Sequence, residues 1–168
     1  AVFLKASELL SGEYRSKINA STMINQSKTC HQAEIDSACE LIDFWRFNAD
    51  YARQIYEDLQ PPVSPSSMWN SSEVRPLEGF IFSVTPFNFS SIAANLPSSA
   101  AIMGNTGVWK PSRNSYLSNY YLMRLMMDAG LPDGVINFIP GKASMVGDIC
   151  LSHPMLAGIH FTGSTAVF

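Results

Sequence analysis

Gly79-Phe80-Ile81-Phe82-Ser83-Val84-Thr85-Pro86-Phe87-Asn88-Phe89 decides how the chain is read. Gly79–Val84 is an apolar run of strand length. Thr85-Pro86 ends it, and a helical pattern begins at Ser90. Trp109-Lys110-Pro111-Ser112 and Phe161-Thr162-Gly163-Ser164 repeat the arrangement, with an apolar run that gives way to polar residues or Gly. Open α/β sheets bind nucleotides and substrates where strands give way to helices. Three such edges in order make a site hypothesis that one alone would not.

Outward from Gly79, strands and helices alternate. Ser90–Met103 reads as a helix with Pro97 inside it, which predicts a kink or break. Gly107–Lys110 is a strand. Ser115–Ala129 is a helix closed by Gly130, with Pro132 beyond it. Val135–Ile139 is a strand, Ser144–Leu151 a helix and Gly158–Phe161 a strand. Strand starts at 79, 107, 135 and 158 give a unit of 23 to 28 residues. That spacing predicts right-handed βαβ crossovers and a parallel sheet with flanking helices.

Upstream, residues 3–26 look helical with an interruption at Gly12. Thr29 and Gln32 have capping-box spacing. Ile35, Ala38, Ile42, Trp45, Ala49, Ala52, Tyr56 and Leu59 then recur at steps of three and four, widened by Leu41, Phe44, Tyr51 and Ile55. This is a long amphipathic helix ended by Pro61-Pro62, and its aromatic stripe reads as core packing. Residues 60–76, with Pro61, Pro62, Pro65, Pro76 and five serines, read as a connection or an exposed arm.

The bulk numbers agree with a globular domain. The 168 residues are 46% hydrophobic and 15% charged, with 8 Met and 10 Phe, so some apolar surface is expected to meet a partner or further chain. A net charge of −3 leaves no basic footprint for nucleic acid. No apolar run reaches membrane-spanning length. Cys30, Cys39 and Cys150 lack CxxC spacing, which suits free thiols in a reducing compartment and speaks against a zinc site. The start lacks an initiator Met, and the chain stops at Phe168 just inside the helix due after the fourth strand. It is therefore expected to be a fragment.

The motifs admit plain readings beside functional ones. No Gly-x-Gly-x-x-Gly follows the first strand, so the ordinary Rossmann fingerprint and the P-loop are absent. Gly141 and Gly147 bracket the turn after the third strand. Phe161-Thr162-Gly163-Ser164 could offer free N–H groups at a helix start to a pyrophosphate, or could be a plain cap. Lys110 could reach a ribose or phosphate, or could snorkel. Asn88 could donate to an oxyanion or cap the next helix. Cys39 and Cys150 lie within helices, and Cys30-His31 adjoin a helix start. A nucleophile needs a partner placed in space, which adjacency in sequence does not provide, so none of the three is expected to be catalytic.

Thr85–Phe89, Trp109–Ser112, the run from Ala129 to Gly141 and Phe161–Ser164, in this order and spacing, resemble the NAD-binding half of the aldehyde dehydrogenase superfamily. The front segments Gln32–Asn48 and Arg75–Phe80 resemble its delta-1-pyrroline-5-carboxylate dehydrogenase branch, which oxidises glutamate semialdehyde to glutamate in proline breakdown. The resemblance runs along essentially the whole chain. It implies an incomplete aldehyde dehydrogenase fold, a Rossmann-like parallel sheet preceded by a long helix. Residues 1–59 would be an N-terminal helical segment, 60–76 a connection or oligomerisation arm, and 77–168 the βα units of the dinucleotide-binding fold, with the catalytic domain absent.

The resemblance also implies roles. Asn88 would stabilise the oxyanion of the thiohemiacetal. Thr85, Pro86, Lys110, Ser112, Gly141, Gly163, Ser164, Thr165, Ala166 and Val167 would contact NAD, with Lys110 on the adenosine ribose and the Gly163 segment beside the pyrophosphate. Phe89 and Glu40 would face the aldehyde substrate. Two residues depart from the family pattern. Ala143 stands where Gly is usual and would crowd the adenine side. Arg113 stands where an acidic or small residue is common, which leaves NADP open. The family's catalytic Cys, its general-base Glu and its substrate-carboxylate loop would lie beyond Phe168. The expected partners are a small aldehyde and further copies of the chain, with no nucleic acid, membrane or metal. The expected compartment is the mitochondrial matrix in a eukaryote and the cytoplasm in a bacterium. Competing readings are a natural truncation that binds nucleotide without chemistry and an assembly piece that pairs through the 60–76 arm.

Overall fold

A computed structural model describes all residues, 1–168. Helices α1 (Val2–Ser11) and α2 (Arg15–Gln26) flank the break at Gly12. The helix that follows starts at Thr29 with a complete capping box. Thr29 Oγ1 accepts from the Gln32 N–H at 3.2 Å, and Gln32 Oε1 accepts from the Thr29 N–H at 3.0 Å. It is not uniform, however. α3 (Cys30–Ala33) passes into a π-helical stretch, Glu34–Cys39, before α4 (Glu40–Asp58). The wider turn leaves Glu34 beside Arg15, Asn19 and Cys39, all of which bond to its carboxylate.

The strands are β1 (Phe80–Val84), β2 (Thr106–Lys110), β3 (Ile136–Phe138) and β4 (Leu156–Phe161), all parallel, in the order β3-β2-β1-β4. α5 (Ser90–Ile102), α6 (Tyr116–Asp128, preceded by a 3₁₀ turn at Arg113–Ser115) and α7 (Ala143–Leu151) are the crossovers. α5 runs unbroken through Pro97, so the expected break is absent. Gly79, before β1, has φ +106°, and a Cβ there would lie 2.0 Å from Met155 O. Only Gly lets the β1 and β4 entries approach this closely.

Strand side chains alternate between faces. Ile81, Ser83 and Trp109 point towards α5. Trp109, at 0% exposure, belongs to a core that also includes Trp45, Leu41, Leu122 and Met126. Trp45 Nε1 donates to Ser98 Oγ at 2.9 Å, which ties α4 to α5. The long-helix stripe is only half core. Ala52 is its last buried position, and Tyr51, Ile55, Tyr56 and Leu59 are exposed because no element covers this end of α4. Residues 60–76 form an almost wholly exposed arm. It is tied at its base where Gln60 Oε1 accepts from the Ser72 N–H at 3.1 Å. No helix is long and apolar enough to cross a membrane.

One core contact titrates. Tyr14 Oη donates to Asp128, across α2 and α6, and this bond, with burial, pushes the phenol up to about 12 from 10.0. The fold thus favours the protonated phenol. The contribution to stability is complete below pH 10 and is lost as pH rises towards 12. Thermal melts should show Tyr14→Phe less stable than wild type at pH 8, with the gap closing by pH 12. A gap independent of pH would mean the bond contributes no proton linkage.

Candidate functional site

The C-terminal edge of the sheet gathers the three turns. The Thr85 N–H donates to Lys110 O at 3.3 Å, and the Thr162 N–H donates to Val84 O at 3.1 Å. The segments after β1, β2 and β4 therefore leave the sheet side by side. Phe82, Val84, Lys110, Ile159 and Phe161 share the face opposite α5 and, with α7, line a cleft of ≈ 350 Å³. A second cleft, lined by Lys110, Arg113, Tyr116, Gly141, Lys142 and Ala143, adjoins it. Lys110 belongs to both.

Most of the Lys110 side chain is buried. It is 7% exposed, and burial alone pushes its ammonium below the ordinary value, with no carboxylate to offset it. A buried amine without a counter-charge costs stability unless a ligand supplies acceptors. Ser112 follows through buried Pro111, half-buried at the start of the 3₁₀ turn. Gly141 sits in the β3–α7 turn, where Tyr116 Oη accepts from its N–H at 3.0 Å and donates to its O at 2.9 Å. Gly147 does not bracket that turn but lies within α7, facing the first cleft.

The Thr85 side chain is engaged within the fold. It is 4% exposed, and its Oγ1 accepts from Trp109 Nε1 at 3.0 Å. The inward-facing indole of the neighbouring strand claims it, so Thr85 fixes the turn. Pro86 is buried beside it. Asn88 is exposed and does not cap α5: the N-cap residue is Phe89, which makes no side-chain capping bond. Instead, Thr22 Oγ1 and Gln26 Nε2 of α2 reach Ser90 Oγ at 3.1 and 2.8 Å and hold the first residue of α5 from behind. Glu40 is half-buried and accepts from Ser91 Oγ. Phe89 is half-buried beneath Lys28.

Gly163 precedes a single turn at the chain's last residues. Ser164 O accepts from the N–H groups of Val167 and Phe168, which makes one turn. Gly163, Ser164, Thr165, Ala166 and Val167 are exposed at the mouth of the clefts, and Val167 lines the first. A Cβ on Gly163 would meet the Phe161 ring at 2.6 Å.

The cysteines are scattered. Cys39 lies against Glu34, and Cys150 is buried in α7; burial pushes both thiols up, away from the reactive thiolate. Cys30 is exposed at the start of α3. Sequence reasoning missed Tyr116, Lys28, and Asn25, whose Oδ1 accepts from the Leu117 and Ser118 N–H groups at the head of α6. These contacts join residues far apart in the chain, and no local motif announces them.

The family model described as the aldehyde dehydrogenase family matches residues 1–168. The chain is 51% identical over 168 residues to the probable delta-1-pyrroline-5-carboxylate dehydrogenase of Schizosaccharomyces pombe, covering 100% of this chain and 30% of that protein. It is 47% identical over 167 residues to the mitochondrial delta-1-pyrroline-5-carboxylate dehydrogenase of Homo sapiens, covering 99% of this chain and 29% of that protein. The crystal structure of the delta-pyrroline-5-carboxylate dehydrogenase from Mycobacterium tuberculosis bound with NAD matches with a TM-score of 0.94 at 57% identity, covering 99% of this chain and 31% of that one. The chain thus spans about 30% of the length of the curated relatives it matches.

Proposed function

The chain belongs to the aldehyde dehydrogenase family, and from that membership we propose that it is the cofactor-side part of an NAD-dependent enzyme that oxidises L-glutamate γ-semialdehyde to glutamate. The observation that carries the substrate reading is the 57% identity, over 99% of the chain, to a delta-pyrroline-5-carboxylate dehydrogenase. The cofactor reading has support in the chain's own chemistry. Lys110 is buried without a counter-charge between two adjoining clefts, which suits a ligand rich in hydroxyl and phosphate oxygens.

NAD, when bound, supplies the hydride acceptor. Lys110 and Ser112 hold its ribose side, Thr85, Pro86 and Gly141 shape the floor, and the exposed segment from Gly163 through Ser164, Thr165 and Ala166 to Val167 offers backbone N–H groups to the phosphates. Asn88 donates its amide to the aldehyde oxygen as negative charge builds there. Phe89 walls the aldehyde pocket, and Glu40 faces it. The nucleophilic thiolate and the base that activates water come from outside these residues. Residues 1–59 form the N-terminal helical segment and 77–168 the βα units. The arm at 60–76, with Trp69 at 88% and Val63 at 73% exposure, joins further copies of the chain. In a eukaryote the reading implies the mitochondrial matrix, and in a bacterium the cytoplasm.

The test compares the natural polypeptide containing this chain with the isolated 168 residues. The former should reduce NAD with glutamate semialdehyde faster than with uncharged aldehydes of similar length; the latter should give no NADH. No preference for the semialdehyde overturns the substrate reading. Turnover by the isolated chain, abolished by replacing Cys30, Cys39 or Cys150 with Ser, overturns the division of labour.

A further inference from the structure

We infer that Lys28 is a positioning residue for the aldehyde pocket, acting through Phe89; the inference rests on the reading of Phe89 as a wall of that pocket. Lys28 Nζ lies over the Phe89 ring, 4.2 Å from its centroid. It is also ion-paired with Asp36, and the two side chains are 12% and 19% exposed. The other three ion pairs are far more open, at 32% exposure or above on each side. A half-desolvated cation over an aromatic face attracts it more strongly than an exposed one does.

The backbone explains why Lys28 stands there. Ser27 ends α2 in the left-handed region at φ 53°, which turns the chain immediately before Lys28. The last turn of α2 is already fastened to the head of α5, because Thr22 and Gln26 both bond to Ser90, the residue after Phe89. Lys28 extends that fastening by one residue, from the Ser90 hydroxyl to the ring beside Asn88. The ion pair with Asp36 keeps the Lys28 ammonium charged and fixes it over the ring, so it is already engaged on both sides. What it does is hold the ring. A Phe ring turns broadly about its last torsion, and a cation fixed over one face narrows that freedom.

The test is a double-mutant cycle in the complete natural polypeptide, with aldehyde KM, kcat, NAD affinity and Tm read for each variant. Lys28→Met, which keeps the stem, should raise the aldehyde KM roughly three- to tenfold, with kcat changed less than about twofold and NAD affinity unchanged. Lys28→Arg should restore KM, because a guanidinium can both stack on the ring and pair with Asp36. In a Phe89→Leu background, Lys28→Met should raise KM no further. A wild-type KM in Lys28→Met, or a rise that persists in the Phe89→Leu background, overturns the inference and leaves the pocket reading standing. A wild-type KM in Phe89→Leu itself overturns the pocket reading of Phe89, and the inference with it.

Discussion

On the proposed reading, Asn88→Ala in the complete natural polypeptide should lower kcat for aldehyde oxidation by roughly 10²–10³-fold, the usual cost of a missing oxyanion donor. NAD affinity should stay within about twofold, and Tm should hardly move. The split follows from where Asn88 sits. It is exposed in the turn after β1 and caps nothing, so its amide contributes no bond that the fold would miss. The turn around it is fixed by other residues. Pro86 is buried, Thr85 is tied to Trp109, and Ser90 is held by Thr22 and Gln26. A donor pre-positioned by its neighbours gives most of its effect in the transition state and little in binding. Asn88→Asp sharpens the test, since a carboxylate in the same place repels the developing charge and should be at least as slow as Ala. Steady-state kinetics with NADH absorbance reads both variants. An unchanged kcat in Asn88→Ala would make Asn88 an ordinary turn residue.

The parts of this molecule that were legible from sequence are those in which local pattern and long-range structure say the same thing. β1 to β4 are short apolar runs bounded by Gly, Pro or polar residues, and their spacing left room for one helix between each pair. A parallel sheet is the packing that such alternation permits, and the parallel order β3-β2-β1-β4 agrees with it. Thr29 and Gln32 specified a helix start through their own two bonds. Periodicity failed where burial depended on what lay opposite. Tyr51 and Tyr56 keep the helical spacing of Trp45, yet only Trp45 meets α1 and α5. The π-helical stretch at Glu34–Cys39 was invisible because the polar cluster of Arg15, Asn19 and Glu34 crosses from a different helix. At the candidate site, sequence named residue types suited to the chemistry. It could not say that Thr85 would be taken by an indole or Phe89 covered by a lysine, because those partners lie 24 and 61 positions away.

Lys110→Met should weaken NAD binding by roughly tenfold to a hundredfold, since hydrogen bonds to charged groups contribute about 1.5–3 kcal/mol, while the fold becomes no less stable. Burial holds the Lys110 ammonium below its ordinary pKa. The folded state therefore disfavours the charged form, and this cost is present at neutral pH and fades as pH rises through the lowered pKa. Met keeps the stem beside its register partner Val84 and removes that cost, so Tm at pH 7 should hold or rise. Loss of binding with gain of stability is the signature of a residue kept for a ligand and not for packing. Gly163→Val attacks the same site by crowding. The backbone at Gly163 is not in the left-handed region, so Val is conformationally allowed, but its Cβ would press on the Phe161 ring, 2.6 Å away, at the cleft mouth. NAD affinity should fall there too, with a small loss of Tm at most. Isothermal titration on the complete natural polypeptide, beside thermal melts, reads both variants. Wild-type NAD affinity in the two together would mean that the dinucleotide binds elsewhere than along the edge between β1, β2 and β4. Weaker binding in Gly163→Val alone would keep the cleft and return Lys110 to a buried amine that the fold merely tolerates.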